Sequence, residues 1–267
     1  MSSRQPVIYI PHGGGPLPLL GDPNHDGLVR LLKQLGTELS KPDAILMISA
    51  HWEESIPKLL SGPQPELIYD YYGFPEESYE IKYPAPGQPE LASKVHAMLE
   101  KGGINSECDA ERGFDHGMFV PLKLMFESAD VPCVQLSLLQ NLDPEMHIKM
   151  GEAIKEIRNQ GVLVIGSGMS YHNLKAFFKK DESSAEQSQE FDQWLYQVCA
   201  DASGSYPQSR QQLIQWKDAP SALDCHPREE HLLPLHVCFG IAGEDGAARR
   251  IFNEDLMGKR VSSFQWD

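Results

Sequence analysis

The sequence predicts an α/β fold: a single domain over residues 1–267, with a largely parallel central sheet and helices on both faces. Three observations carry this. Short apolar runs, rich in β-branched residues, recur at 7–10, 44–49, 131–138 and 162–165, as buried parallel strands require. The stretches between them carry apolar residues at helical spacing. Three of the runs lead into a histidine: His12, His51 and, more loosely, His172. Open α/β sheets bind ligands outside the carboxyl ends of their strands, so a metal or catalytic site is expected at that edge.

In chain order, Val7–Ile10 reads as a strand closed by Pro11, followed by His12 and Gly13-Gly14-Gly15. The glycines lack the lysine and spacing of a phosphate loop. Leu28, Leu31, Leu32, Leu35 and Leu39 mark a helix that begins near Asp26. The second strand, 44–49, delivers His51. Residues 62–87 have no periodicity but are rich in Tyr, Pro and Gly, and are expected to be an ordered loop near the site. Helices are predicted over 89–100, 118–126 and 144–160, and strands over 131–138 and 162–165. Further helices follow over 185–200 and 209–216. Another runs through Val237 to Gly243, with either Pro227 or Pro234 in its first turn. Residues 249–264 are expected to add one or two strands at a sheet edge.

Composition narrows the function. Lys and Arg number 23 against 38 Asp and Glu, a net charge of −15. Such a chain is a poor partner for nucleic acid or an anionic membrane surface. No apolar run approaches the roughly 18 residues that span a bilayer. The five cysteines are scattered, without a C-x-x-C pair, and suit reduced thiols. With no apolar leader at the N-terminus, a cytoplasmic location is expected, as a monomer or small homo-oligomer.

Of ten histidines, His25, His96 and His147 sit in polar or helix-surface contexts and are expected to be structural. His226 and His236 are less decided. His12, His51, His172 and His231 stand apart: three end strands, and His231 opens a helix beside Glu229 and Glu230. Asp115 precedes His116 and could orient its imidazole. Imidazoles with a carboxylate fit a non-haem Fe(II) oxygenase and a catalytic zinc hydrolase equally well. H-E-x-x-H is absent, which argues against a zincin protease.

Seven motifs in order resemble the class III extradiol ring-cleavage dioxygenases, in particular the 4,5-DOPA extradiol dioxygenase branch. They are P-H-G-G-G-P (11–16), S-A-H-W-E (49–53), Y-G-F-P-x-x-x-Y-x-x-x-Y-P-A-P-G (72–87), G-F-D-H-G (113–117), V-P-x-V-Q-L-S (131–137), S-G-x-x-x-H-N-L (167–174) and E-H-x-x-P-L (230–235). The resemblance implies that His12, His51 and His231 ligate a metal, with Glu230 as an alternative or additional ligand. It makes His172 a general base that could also touch the metal, and places His116 in the substrate pocket. Tyr72, Asp115 and Tyr171 are expected around that pocket. The implied cofactor is Fe(II), with Zn(II) plausible in recombinant protein, and the substrates are a DOPA-like catechol and O2. A binding or signalling protein on the same scaffold and a zinc hydrolase are the alternatives.

Overall fold

A computed structural model describes residues 4–177, 182–201, 203–244 and 246–267. Its strands are β1 (Val7–Pro11), β2 (Ala44–Glu54), β3 (Lys58–Leu60), β4 (Glu107–Asp109), β5 (Cys133–Leu139), β6 (Val162–Gly168), β7 (Arg249–Leu256) and β8 (Lys259–Trp266). Its helices are α1 (Asp26–Glu38), α2 (Pro89–Lys101), α3 (His116–Met125), α4 (Pro144–Ile154), α5 (Leu174–Phe177), α6 (Glu182–Ala200), α7 (Tyr206–Ile214), α8 (Ala222–Cys225) and α9 (Leu233–Ala242).

The strands form one sheet in the order β4-β3-β5-β2-β6-β1-β8-β7. Its centre, β5-β2-β6-β1, is parallel throughout. These are the four apolar runs, and β1, β5 and β6 are buried along their whole length, as strands covered on both faces must be. The C-terminal hairpin adds β8 antiparallel to β1, with β7 at the edge. On the other side β3 pairs antiparallel with β5, and β4 parallel with β3. These two three-residue strands are too short to leave a periodic signal.

Alternation along β6 shows how helices cover both faces. A Cβ at Gly166 would meet the Pro234 carbonyl and Cys238 on α9. The next side chain, Ser167, reaches the Gly117 carbonyl on α3. The two helices therefore lie on opposite faces. On the first face α4 packs against α9 backbone to backbone, because a Cβ at Gly151 or Gly240 would strike the other helix's carbonyls. On the second, α1 packs closely on α3, since a Cβ at Gly36 would strike the Met125 carbonyl.

The boundaries differ from expectation in instructive ways. The helix expected over 144–160 leaves α-geometry at Ile154, tightens to a 3-10 turn over Lys155–Gln160, and stops at Gly161. The last core helix begins at Leu233, so Pro234 and not Pro227 occupies its first turn. His147 was expected at a solvated surface but is fully buried. Its Nδ1–H donates to the Asp143 carbonyl and its Nε2 accepts from the Leu139 amide. All five cysteines are free. No helix among the described residues is long and apolar enough to cross a membrane.

Candidate metal centre

His12 leaves the end of β1, where its backbone N–H donates to the Gly168 carbonyl. The turn after it is held by His25, one of the histidines expected to be structural. His25 is fully buried, accepts a hydrogen bond from the Gly14 amide and donates to Asp22 at 2.6 Å. Gly13 has φ +86°, and a Cβ there would strike Pro18 and His25. The glycine run thus serves close backbone approach at the cavity wall.

His51 lies inside β2, beyond the point where β2 stops pairing with β6 at Ser49. Ser49 is the brace. Its Oγ donates to Asp115 and accepts from the His51 amide. Asp115 also accepts from Arg112 and Gln135. Asp115 is fully buried behind β2 and does not line the cavity, contrary to the pocket role expected of it. Nor does it orient His116. Asp70 does, accepting at one oxygen from both the backbone N–H and the Nδ1–H of His116, while its other oxygen lies 3.4 Å from His51 Nδ1. Burial raises the Asp70 pKa, but the hydrogen bond and charge of His116 outweigh it and hold the carboxyl well below its usual value.

A chain of hydrogen bonds fixes His12. Pro121, inside α3, lacks the N–H that an α-helix would aim at the Gly117 carbonyl. Ser167 Oγ donates to that carbonyl instead, at 2.5 Å. Its hydrogen committed, Ser167 Oγ accepts from His12 Nδ1 at 3.0 Å. His12 Nε2 is therefore the lone-pair nitrogen, and it faces His51 Nε2 at 3.1 Å. Asp70 Oδ2 lies 3.4 Å from His51 Nδ1, which favours the tautomer with its hydrogen there and its lone pair on Nε2. Burial, then the neighbouring imidazoles, pushes His12 well below the ordinary histidine pKa. Burial, then His116, pushes His51 to about 3.

His231, in the turn before α9, completes a near-equilateral triangle of rings. Its centroid lies 5.1 Å from His12 and 5.0 Å from His51, which are 4.8 Å from each other. Its Nδ1 is satisfied by Glu230 Oε1 at 2.9 Å. The same oxygen lies 3.1 Å from His172 Nδ1. His172 and His231 stack at 3.4 Å. His116 stands across the site, 4.0 Å from the His51 ring.

The donor set suits a cation. The potential ligand atoms of His12, His51 and His116 lie within 4.8 Å of one another, as do those of His172, Glu230 and His231. Desolvation lowers the pKa of His12, His51 and His231, which favours the neutral, metal-binding form. Two nitrogens at ~2.0–2.1 Å from one ion, at angles of about 90–109°, lie about 2.8–3.4 Å apart. The 3.1 Å separation of His12 and His51 falls in that range.

Around these histidines lies a cavity of about 360 Å³. Gly13–Gly15, Leu17, Tyr71, Phe74, Met169, Leu174, Phe177, Leu256 and Met257 line the rest of it. Tyr71, not Tyr72, is the tyrosine that reaches it; Tyr72 is 91% exposed. Tyr171 is buried against Phe177, outside the lining. His226 and His236 are buried and bonded to the Ser170 and Leu213 carbonyls, away from the cavity. His96 bonds Ser106.

Residues 5–264 match the family described as the catalytic LigB subunit of aromatic ring-opening dioxygenase. The chain belongs to this family of class III extradiol dioxygenases. It is 37% identical to "Dioxygenase tasH" of Hapsidospora irregularis, over 98% of this chain and 85% of that one. It is 41% identical to the 4,5-DOPA dioxygenase extradiol of Beta vulgaris, over 80% and 78%. The Escherichia coli protein of that name is 31% identical over 90% and 86%. A crystal structure of an uncharacterized Escherichia coli K12 protein superposes with a TM-score of 0.81 at 26% identity, covering 99% of this chain and all of the other. A LigB-family site is metal-dependent, in keeping with the histidines gathered at the strand edge.

Proposed function

We propose that this LigB-family enzyme binds one Fe(II) through His12, His51 and His231 and opens the ring of a catechol beside a hydroxyl, with O2 as co-substrate. The carrying observation is the 3.1 Å approach of His12 and His51 Nε2, the spacing of two nitrogens on one ion. The bound iron supplies Lewis acidity toward the catechol oxygens and a means of activating O2. Both oxygen atoms enter the product, so catechol and O2 are consumed one for one.

The chain's own residues do the rest. His172 stands at the cavity with its Nδ1 at Glu230, so its Nε2 is free to take a phenolic proton and return it as the ring opens. In this reading Glu230 serves as the shared acceptor for His172 and His231, supported by its Oε1 lying 3.1 Å and 2.9 Å from their Nδ1 atoms. Asp70 aims His116 at the cavity from the opposite wall, where it hydrogen-bonds the bound oxygen functions. Tyr71 and Phe74 bound the aromatic slot.

Anaerobic loading with Fe(II), followed by air and a catechol, tests this. The expected result is a yellow semialdehyde with one O2 consumed per catechol. Iron-loaded protein that consumes no O2 with any catechol rejects the reading. Zn(II) competes well for such ligands, so metal analysis accompanies the assay.

A further inference from the structure

Resting on ring opening as the reaction of this cavity, we infer that the preferred catechols carry an uncharged, apolar substituent in place of an amino-acid side chain. Away from the histidines, the wall is built by Phe74, Met169, Leu174, Phe177, Leu256 and Met257. Among the described lining residues, only the histidines can carry a charge near neutral pH, since burial raises the Tyr71 phenol to about 12. A carboxylate or ammonium group entering here would lose its hydration without a partner of opposite sign.

Two positions point to apolar surface awaiting a cover. Leu174, in the single turn of α5 at the cavity mouth, is 59% exposed. Met257 sits at the tip of the β7–β8 hairpin with φ +52°, next to Gly258 at φ +77°. Tight hairpin tips of positive φ favour Asn, Asp or Gly, so a methionine there runs against turn preference. It places a flexible apolar side chain at the cavity instead.

Among the described residues, Lys175 and Arg228 line an adjoining space of about 530 Å³ that shares His172 and Leu174 with the first cavity. Arg228 donates twice to Glu53 at 2.6 Å and lies 3.3 Å from Glu230, so its charge is already answered. That leaves it a poor receptor for a substrate carboxylate.

The test compares 4-methyl-, 4-ethyl- and 4-propylcatechol with DOPA and 3,4-dihydroxyphenylacetate on the Fe(II)-loaded full chain. Turnover is read by O2 uptake, and binding by anaerobic calorimetry. Both kcat/KM and affinity are expected to rise about fourfold per added methylene. 4-Propylcatechol is expected to exceed DOPA at least tenfold. Met257→Lys, and Leu174→Lys at the exposed mouth, should each shift the ratio toward 3,4-dihydroxyphenylacetate by tenfold or more. DOPA or dihydroxyphenylacetate matching 4-propylcatechol, or neither lysine variant moving the ratio, overturns the inference while leaving ring opening intact. The expected binding order without any O2 uptake would instead reject ring opening and keep the apolar preference.

Discussion

His12 Nε2 and His51 Nε2 face each other at 3.1 Å, and in the tautomers that Ser167 and Asp70 favour neither nitrogen carries a hydrogen. His12 spends its Nδ1–H on Ser167 and His51 points its own at Asp70. Two lone pairs at this distance repel, and burial opposes a proton between them. A divalent cation turns the repulsion into ligation, and the predictions that follow trace its consequences.

His51→Ala removes one of the facing pair. The purified variant should fail to retain iron after desalting, with folding unchanged by circular dichroism. Stoichiometric iron in the variant would move the centre elsewhere.

His172→Ala should keep the metal and lose turnover. A missing general base costs about 10²–10⁴ in kcat. Iron content near wild type with kcat down by that factor is the expected pair of readings. Loss of iron would make His172 a ligand instead.

Asp70→Asn weakens the acceptor shared by His116 and His51. A change in a metal site's supporting acceptor typically costs 10–100-fold in metal affinity or activity. Competition with a chelator and steady-state kinetics on the loaded variant separate these. Wild-type values for both would reduce Asp70 to a loop fastener.

Pro121→Ala restores an N–H directed at the Gly117 carbonyl. The new donor competes with Ser167, whose hydroxyl then turns and releases His12 Nδ1. Thermal stability should hold or rise, while metal affinity falls. A variant with unchanged affinity shows that Ser167 keeps its orientation by other means.

Acid stability follows from His147. Burial lowers its pKa from 6.5 to about 4. The unfolded chain therefore binds more protons between those values, and stability falls as pH drops from about 6.5 to about 4. The effect is of order 3 kcal/mol for this residue. Protonation would also cost the Leu139 amide its acceptor. His147→Gln should flatten the pH dependence of Tm over that range, and an unchanged slope would remove His147 from the account.

Much of this was legible in the sequence. The four apolar runs became the parallel centre of the sheet; His12 emerged at its edge because it follows β1, and His51 because it lies past the point where β2 stops pairing with β6. What escaped depends on tertiary proximity. Asp70 stands 46 positions from His116 and carries no motif of its own. Ser167 reads as part of a strand end until Pro121 frees a carbonyl for it. Tyr71 and Tyr72 are neighbours in a loop without period, so nothing local decides which faces the cavity. His147 looks solvated by helical position, yet it satisfies a backbone amide that the fold buries.

The most direct test is anomalous diffraction at the iron edge from crystals of the Fe(II)-loaded protein. One peak should lie within about 2.0–2.2 Å of Nε2 on each of His12, His51 and His231, with Glu230 outside ligating distance. A peak bound by His116 in place of His231, or no peak at the His12–His51 gap, would contradict the account.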